Sequence, residues 1–137
     1  MNLKQTKRVF LLIVSIAFIS CAQNTKKSAQ TGEQIVQYIS PAELQARMDT
    51  IQLIDVRTPQ EFSSGHLKNA VNINYFDSDF LQKMNALDKS KEVYIYCKSG
   101  NRSGSAAQKL EDAGFPKVYD LKGGIINWNQ NKLETVK

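Results

Sequence analysis

One of the two cysteines of this chain, Cys97, ends an apolar run and precedes a glycine-bearing segment with a cation on either side. The segment reads YIYCKSGNRSGSAA. Gly100 and Asn101 tolerate positive φ angles, so the loop can turn successive backbone N–H groups toward a sulfur atom. Lys98 and Arg102 add full positive charges, which favour a thiolate over a thiol. The pattern therefore favours a stabilised thiolate nucleophile in a cradle for an anionic substrate over the alternative, a buried structural cysteine followed by a simple turn.

Strands and helices in alternation must position this loop. The apolar run VYIY before Cys97 predicts a central strand covered on both sides. Ala106, Ala107 and Leu110 share one face of a helix after it. The sequences SPAE and TPQE each carry the serine or threonine, the proline and the glutamate that begin a helix with a capping box. We therefore expect one α/β domain with a central, mostly parallel sheet flanked by helices, and Cys97 at the strand ends where such sheets bind ligands.

The other expected elements are short. Apolar runs predict strands over residues 51–56, 70–74 and 117–121. A helical period predicts a helix over residues 78–87, with Phe80, Leu81, Met84 and Leu87 on one face. A last helix is expected after Gly124.

The charge of the chain is concentrated near its N-terminus. Of the 18 Lys and Arg residues, 13 lie from residue 35 onward, against 12 acidic residues there. No basic stripe with interleaved aromatic residues is left, so we expect no nucleic-acid partner. The basic excess lies before residue 35, in Lys4, Lys7, Arg8, Lys26 and Lys27.

The N-terminal segment is typical of an export signal. Three basic residues precede the apolar run VFLLIVSIAFI, which is too short to span a bilayer. The following FISC resembles a bacterial lipobox, although Phe18 stands where leucine is usual, and it makes Cys21 the candidate lipidated residue. An ordinary signal peptide or an uncleaved anchor is the alternative. We expect a signal peptide over residues 1–20, a polar flexible tether over residues 21–34 and the folded domain over residues 35–137. The expected location is the bacterial cell envelope, lipid-anchored and facing the periplasm, with the choice of membrane left open.

Three separated motifs resemble those of a single-domain rhodanese, a sulfurtransferase family. They are LIDVRTPQEFSSGHLKNAVNI, YCKSGNRS and LKGGIINW, which occur in the family's order from about Ile39 onward. The resemblance implies an α/β rhodanese fold and a persulfide on Cys97 as the reaction intermediate. It also implies a small anionic sulfur donor such as thiosulfate, a thiol or cyanide as acceptor, and no cofactor.

The resemblance also assigns roles to individual residues. It makes the six residues after VYIY the active loop that binds the substrate: Cys97, Lys98, Ser99, Gly100, Asn101 and Arg102. Arg102 matches a loop arginine that an acidic partner commonly holds, for which Asp55 and Glu61 are the two candidates. Arg57 and Glu61 match signature positions, and a structural role for them is as well supported as a catalytic one.

Other residues are expected to serve the fold. His66 is the only histidine, but a cysteine already held as a thiolate needs no general base, so we expect His66 not to be catalytic. Gly123, Gly124 and Trp128 match the family's closing motif, with roles in turn geometry and core packing. The sequence holds no cluster of cysteine and histidine residues, and we expect no metal.

Three functions compete for this sequence. The first is a sulfurtransferase that acts through Cys97, as a monomer. The second is a cysteine phosphatase or arsenate reductase, but relatives of that kind have one more residue between cysteine and arginine than the four found here. The third is a lipid-anchored interaction module without turnover, although such modules commonly lose the cysteine. The intact loop favours the first function.

Overall fold

The computed structural model describes residues 34–137, which form five strands and five helices in alternation. The expected signal peptide, and all but the last residue of the expected tether, lie outside the described residues. Cys21 is therefore not described either. The elements are β1 (Val36–Ile39), α1 (Pro41–Gln45), β2 (Gln52–Asp55), α2 (Pro59–Ser63), β3 (Val71–Asn72), α3 (Phe80–Asn85), β4 (Val93–Tyr96), α4 (Asn101–Asp112), β5 (Val118–Leu121) and α5 (Gly124–Gln130).

The strands form one sheet in the order β1-β5-β4-β2-β3, and every neighbouring pair is parallel. The predicted α/β fold class is thus confirmed. β4 is the central strand and all four of its residues are buried, as its unbroken apolar sequence predicts. Because the strands are parallel, the loops that follow β2, β4 and β5 all leave from the same edge of the sheet.

Each face of the sheet is covered by helices, because successive residues of a strand point to opposite sides. Ile54 and Ile95 belong to one buried cluster, to which α3 and α4 contribute. Leu53 and Tyr94, their neighbours in sequence, belong to the other, with α1 and α5. Burial on both faces explains why the central strands are apolar throughout.

Both predicted capping boxes are confirmed. Ser40 accepts a hydrogen bond from the amide of Glu43, whose carboxylate accepts one from the amide of Ser40 at 3.0 Å. Thr58 and Glu61 make the same reciprocal pair at the start of α2. These contacts stay within four residues, so local sequence alone specifies them.

Some boundaries differ from those expected. The strand over residues 70–74 is confined to Val71–Asn72, because it lies at the edge of the sheet and the chain then turns, with the amide of Phe76 donating to the Asn74 side chain. The helix over residues 78–87 spans only Phe80–Asn85, and Leu81 is 40% exposed rather than packed with Phe80. β1 was not predicted as a strand.

The helices within residues 34–137 are all short. None of them combines the length and the apolar character that a membrane-spanning helix needs.

Candidate active site

Cys97 lies directly after β4, at the carboxyl edge of the sheet, with only 1% of its surface exposed. The chain turns at Gly100, whose φ of 107° lies in the left-handed region that glycine accepts without strain. This turn brings the Gly100 amide to 3.1 Å from the Cys97 Sγ, to which it donates. Both Gly100 and Asn101 tolerate a positive φ, but within the loop only Gly100 adopts one. Asn101 is instead the first residue of α4.

The surroundings of the sulfur favour its ionised form. Burial by itself raises the pKa of Cys97, but the hydroxyl and amide of Ser103 and the amides of Gly100 and Ser99 outweigh it. The pKa of Cys97 therefore lies below its ordinary value. Ser103 is fully buried in the first turn of α4, with its Oγ 3.5 Å from the Cys97 Sγ. The loop supplies hydrogen bonds to a thiolate before any substrate binds.

The start of α5 holds the loop from behind. The amide of Ile125 donates to the carbonyl of Cys97 at 2.9 Å, and the amide of Ile126 donates to the carbonyl of Lys98 at 3.1 Å. Gly124 fits so closely that a Cβ on it would lie 2.5 Å from the Cys97 carbonyl oxygen. The GG motif therefore does more than shape a turn, because it lets the last helix bond directly to the nucleophile's own peptide groups.

Arg102 is held by Glu61, one of the two acidic candidates. Its Nη1 and Nη2 each donate to a different oxygen of the Glu61 carboxylate at 2.7 Å. Glu61 also accepts from the amide and hydroxyl of Thr58, so it joins the capping box of α2 to the active loop. The Arg102 hydrogen bonds are the main cause that lowers the pKa of Glu61 to about 2.

Asp55, the other candidate, pairs with Arg57 instead. The two side chains are buried, and Nη2 of Arg57 lies 2.6 Å from Oδ2 of Asp55. Arg57 also donates to the carbonyl of Gly65 at 2.8 Å. This geometry is that of a buried structural pair tying the end of β2 to the loop after α2.

Lys98 and Ser99 are exposed, at the tip of the loop. Within residues 34–137, the Lys98 ammonium makes no ion pair, and its side chain is exposed to solvent. Phe76, which is 66% exposed, lies beneath the Arg102 guanidinium at 5.7 Å from the ring centre. Of the two cations in the active loop, Arg102 is therefore paired with Glu61, and Lys98 makes no ion pair within the described residues.

His66 is engaged elsewhere. Its ring stacks on Phe62 with centroids 3.7 Å apart, and Nδ1 lies 3.1 Å from the Phe62 carbonyl oxygen. Its backbone pairs with Val136. These contacts support a packing role for His66.

The sequence predicts no role for Ser103 or Phe76. The available signal for Ser103 was a hydroxyl one turn inside the helix that follows a candidate nucleophile. Phe76 carried no comparable signal, because its place beside the loop depends on the turn after β3. No group of three or more His, Cys, Asp or Glu side chains in the described part of the chain could hold a metal ion.

Comparisons with known proteins agree with this geometry. Residues 40–131 match the profile of the rhodanese-like domain. The chain is 41% identical over 96 residues to the protein YqhL of Bacillus subtilis, an alignment that covers 70% of this chain and 75% of YqhL. It is 38% identical over 92 residues to a chloroplastic protein of Arabidopsis thaliana named thiosulfate sulfurtransferase 16, covering 60% of this chain and 77% of that protein.

A solved structure is also similar. A rhodanese-related protein from Thermoplasma volcanium matches with a TM-score of 0.66 and 30% identity, over 73% of this chain and 97% of that one. The chain spans about half the length of two longer relatives, from Synechocystis and from Raphanus sativus. With a matching profile over most of the chain, a parallel sheet of the same fold and a relative at 41% identity, this chain belongs to the rhodanese-like domain family.

Proposed function

We propose that the protein is a sulfurtransferase that carries a sulfane sulfur as a persulfide on Cys97. The observation that supports this most directly is the buried Cys97 sulfur at a strand end, with the Gly100 amide and the Ser103 hydroxyl directed at it. A cysteine that served only the core would need no such donors. The family relationship adds relatives that are named sulfurtransferases.

The donor in this proposal is thiosulfate or a similar small anion. The Cys97 thiolate attacks the outer sulfur of thiosulfate, a sulfur–sulfur bond forms, and the bond to the sulfonate sulfur breaks. Sulfite leaves with the electron pair, so no proton has to move and no general base is needed. Lys98 attracts the dianion, and the loop amides stabilise the negative persulfide that results.

The acceptor in this proposal is a thiol or cyanide. Cyanide attacks the outer sulfur of the persulfide, leaves as thiocyanate and returns Cys97 to the thiolate. Cys97 is the free cysteine among the described residues, and lipidation of Cys21 would leave no second thiol to form an internal disulfide. The sulfur must then leave to an external acceptor.

The test is intact-protein mass spectrometry after incubation with thiosulfate. The parent protein should gain the mass of one sulfur atom, and cyanide should remove it with release of thiocyanate. Cys97→Ser should lose the adduct while remaining folded, whereas Cys21→Ser, the same change at the other cysteine, should keep it. No adduct on the parent with any sulfane donor would refute the enzyme and favour the interaction module.

We also propose that the enzyme is a monomer held at the bacterial cell envelope, facing the periplasm, by lipid on Cys21. The support for the envelope location and the anchor is the sequence alone: a basic segment, an apolar run of signal-peptide length and the lipobox-like FISC. The polar residues up to Gln34 then act as the tether between the lipid and the rhodanese-like domain.

A further inference from the structure

A buried acid lies behind the active loop. Asp120 is in β5, between β1 and β4, with 1% of its surface exposed. Its Oδ1 is buried and has no hydrogen-bond partner within residues 34–137. Burying a carboxyl group without a partner costs folding free energy, because burial disfavours its charged form. No ion pair to Asp120 is formed among residues 34–137.

The carboxyl group of Asp120 lies against the start of α4. A Cβ on Gly104 would lie 3.8 Å from Oδ2 of Asp120, so the helix backbone passes directly over the carboxyl. The adjacent Ser103 hydroxyl lowers the pKa of Asp120, although burial has the larger effect and raises that pKa to about 6. Asp120 and Cys97 therefore lie on either side of one serine.

The Ser103 hydroxyl cannot donate a hydrogen bond to all of its neighbours at once. It has one proton to donate, and it faces the Cys97 Sγ at 3.5 Å, the Gly100 carbonyl at 3.2 Å and the Asp120 carboxyl. An ionised carboxylate is the strongest acceptor of the three when Cys97 is neutral. A protonated carboxyl can instead donate to the serine oxygen, which frees the serine proton for the sulfur.

We propose that Asp120 is a positioning residue that controls, through the Ser103 hydroxyl, how strongly the loop stabilises negative charge on Cys97. When Asp120 is protonated, it donates to Ser103 and Ser103 donates to the sulfur. When Asp120 is ionised, Ser103 turns to the carboxylate, and the sulfur loses a donor and gains a negative neighbour. The proposal rests on Cys97 being the nucleophile of the proposed function.

Few other groups influence Asp120. In the sheet it stands beside Tyr38 of β1 and Ile95 of β4, and Ser103 and Gly104 face it from α4. Burial and Ser103 account for its pKa, with no contribution from a charged group in the described part of the chain. On the other side of Ser103, the charged group that acts on Cys97 is Arg102, which Glu61 holds in place.

The consequence is a pH-dependent nucleophile. Since the pKa of Asp120 is about 6, both forms of Asp120 are populated at mildly acidic pH. Below that pH the loop stabilises the thiolate fully, and above it the stabilisation is weaker. The apparent pKa of Cys97 should therefore be higher when Asp120 is ionised than when it is protonated, as for any two coupled acids.

The experiment measures the rate at which iodoacetamide alkylates the full chain as a function of pH, read on the Cys97 peptide by mass spectrometry. This readout needs no sulfur transfer, so it can fail or succeed independently of the proposed function. The parent should show a shoulder near the pKa of Asp120. Asp120→Asn, which keeps the shape but cannot ionise, should remove the shoulder and lower the apparent pKa of Cys97 by about one unit, a tenfold change in thiolate stability.

Two further variants make the test specific. Ser103→Ala should raise the apparent pKa of Cys97, and in that background Asp120→Asn should have less than half of its effect. Asp112→Asn removes one exposed negative charge from the far end of α4 and should leave the profile unchanged. A parent profile with one ionisation, or equal effects of Asp120→Asn with and without Ser103, would overturn the proposal. If Asp120→Asn fails to fold, the pH profile of the parent and the apparent pKa of Cys97 in Ser103→Ala still test the proposal.

Discussion

Lys98 and Arg102 flank the same sulfur, yet their surroundings differ. Lys98 is exposed, whereas Arg102 makes two 2.7 Å hydrogen bonds to Glu61 and lies over Phe76. The free cation is available to a substrate anion, while the paired one already ties the loop to α2. We therefore assign donor binding to Lys98 and loop integrity to Arg102.

Separate kinetic and stability effects are expected from the two positions. Lys98→Ala should raise the KM for thiosulfate about fivefold with little change in melting temperature, since one exposed charge contact contributes about 1 kcal/mol. Arg102→Ala should lower both kcat and stability, because the Glu61 carboxylate loses its partner. Lys91→Ala, at the other end of β4, is the control for removing an exposed lysine. Indistinguishable kinetics and melting curves for Lys98→Ala and Arg102→Ala would contradict this assignment.

His66→Ala should retain most sulfurtransferase activity. The ring stacks on Phe62 and contacts a carbonyl oxygen, so its loss should cost about 1 kcal/mol of stability, the scale of one aromatic contact. Steady-state thiosulfate:cyanide assays and thermal melts of the parent and the variant measure the two effects. A folded variant with activity reduced a thousandfold would make His66 a catalytic group after all.

At the scale of elements, the active loop depends on the helix that follows β5. Gly124 has a φ of 60°, and a Cβ there would lie within 2.6 Å of the carbonyl oxygens of Cys97 and Lys98. Backbone atoms cannot move aside as a flexible side chain can. Close contact between α5 and the loop therefore requires glycine at this position.

Gly124→Ala should reduce stability by about 3 kcal/mol or more, because strain at a positive φ adds to the clash with the loop. It should also slow alkylation of Cys97, since the loop must shift. Gly114→Ala is a matched control: its φ is 79°, but a Cβ there meets nothing within 4 Å. That variant should lose about 1 to 2 kcal/mol and keep the alkylation rate of the parent. Equal alkylation rates for the two variants would mean that α5 does not shape the site.

The sequence predicts those features that are local. The capping boxes of α1 and α2, the buried strand before Cys97 and the glycine turn after it depend on neighbouring residues, and the structure has them all. The choice between Asp55 and Glu61 as partner of Arg102 stayed open, because it depends on how α2 packs beside the loop. The contacts of Gly124 with Cys97, and of Ser103 with Asp120, join residues from separate elements, so only the tertiary structure reveals them.

For the whole molecule, two carboxyl groups affect stability in opposite directions. The pKa of Glu61 is lowered from 4.5 to about 2, so its stabilising effect is complete above pH 4.5 and is lost as the pH falls toward 2. The pKa of Asp120 is raised from 3.8 to about 6. Its protonated form therefore supports the fold below pH 3.8, and this support is lost as the pH rises through 6.

Asp120→Asn should be more stable than the parent at alkaline pH. One unit of pKa shift corresponds to about 1.4 kcal/mol, so we expect a gain of about 2 kcal/mol at high pH after allowing for the buried amide. Below the ordinary pKa of aspartate this gain should be absent, and the variant should be slightly less stable than the parent because of its buried amide. Urea denaturation across the pH range measures this, with Asp112→Asn as the exposed control. Parallel curves for Asp120→Asn and the parent would show that Asp120 does not titrate as described.

The proposed lipid anchor has its own test. The protein expressed in a bacterial host should partition into the detergent phase of Triton X-114, since each buried methylene of an acyl chain contributes about 0.8 kcal/mol. Cys21→Ser should move to the aqueous phase, and Cys97→Ser should stay with the parent. Equal partitioning of Cys21→Ser and the parent would rule out the anchor.

The hydrogen bonds from α5 to the carbonyls of Cys97 and Lys98 also determine when the active loop can form during synthesis. The ribosome makes Cys97 well before Gly124 and Ile125, and segments that emerge first begin to fold first. Until α5 has emerged and docked, the loop lacks the contacts that hold its peptide groups in place. We therefore expect Cys97 to have the reactivity of an ordinary thiol in a nascent chain that lacks α5, and to become a stabilised thiolate only after α5 has docked.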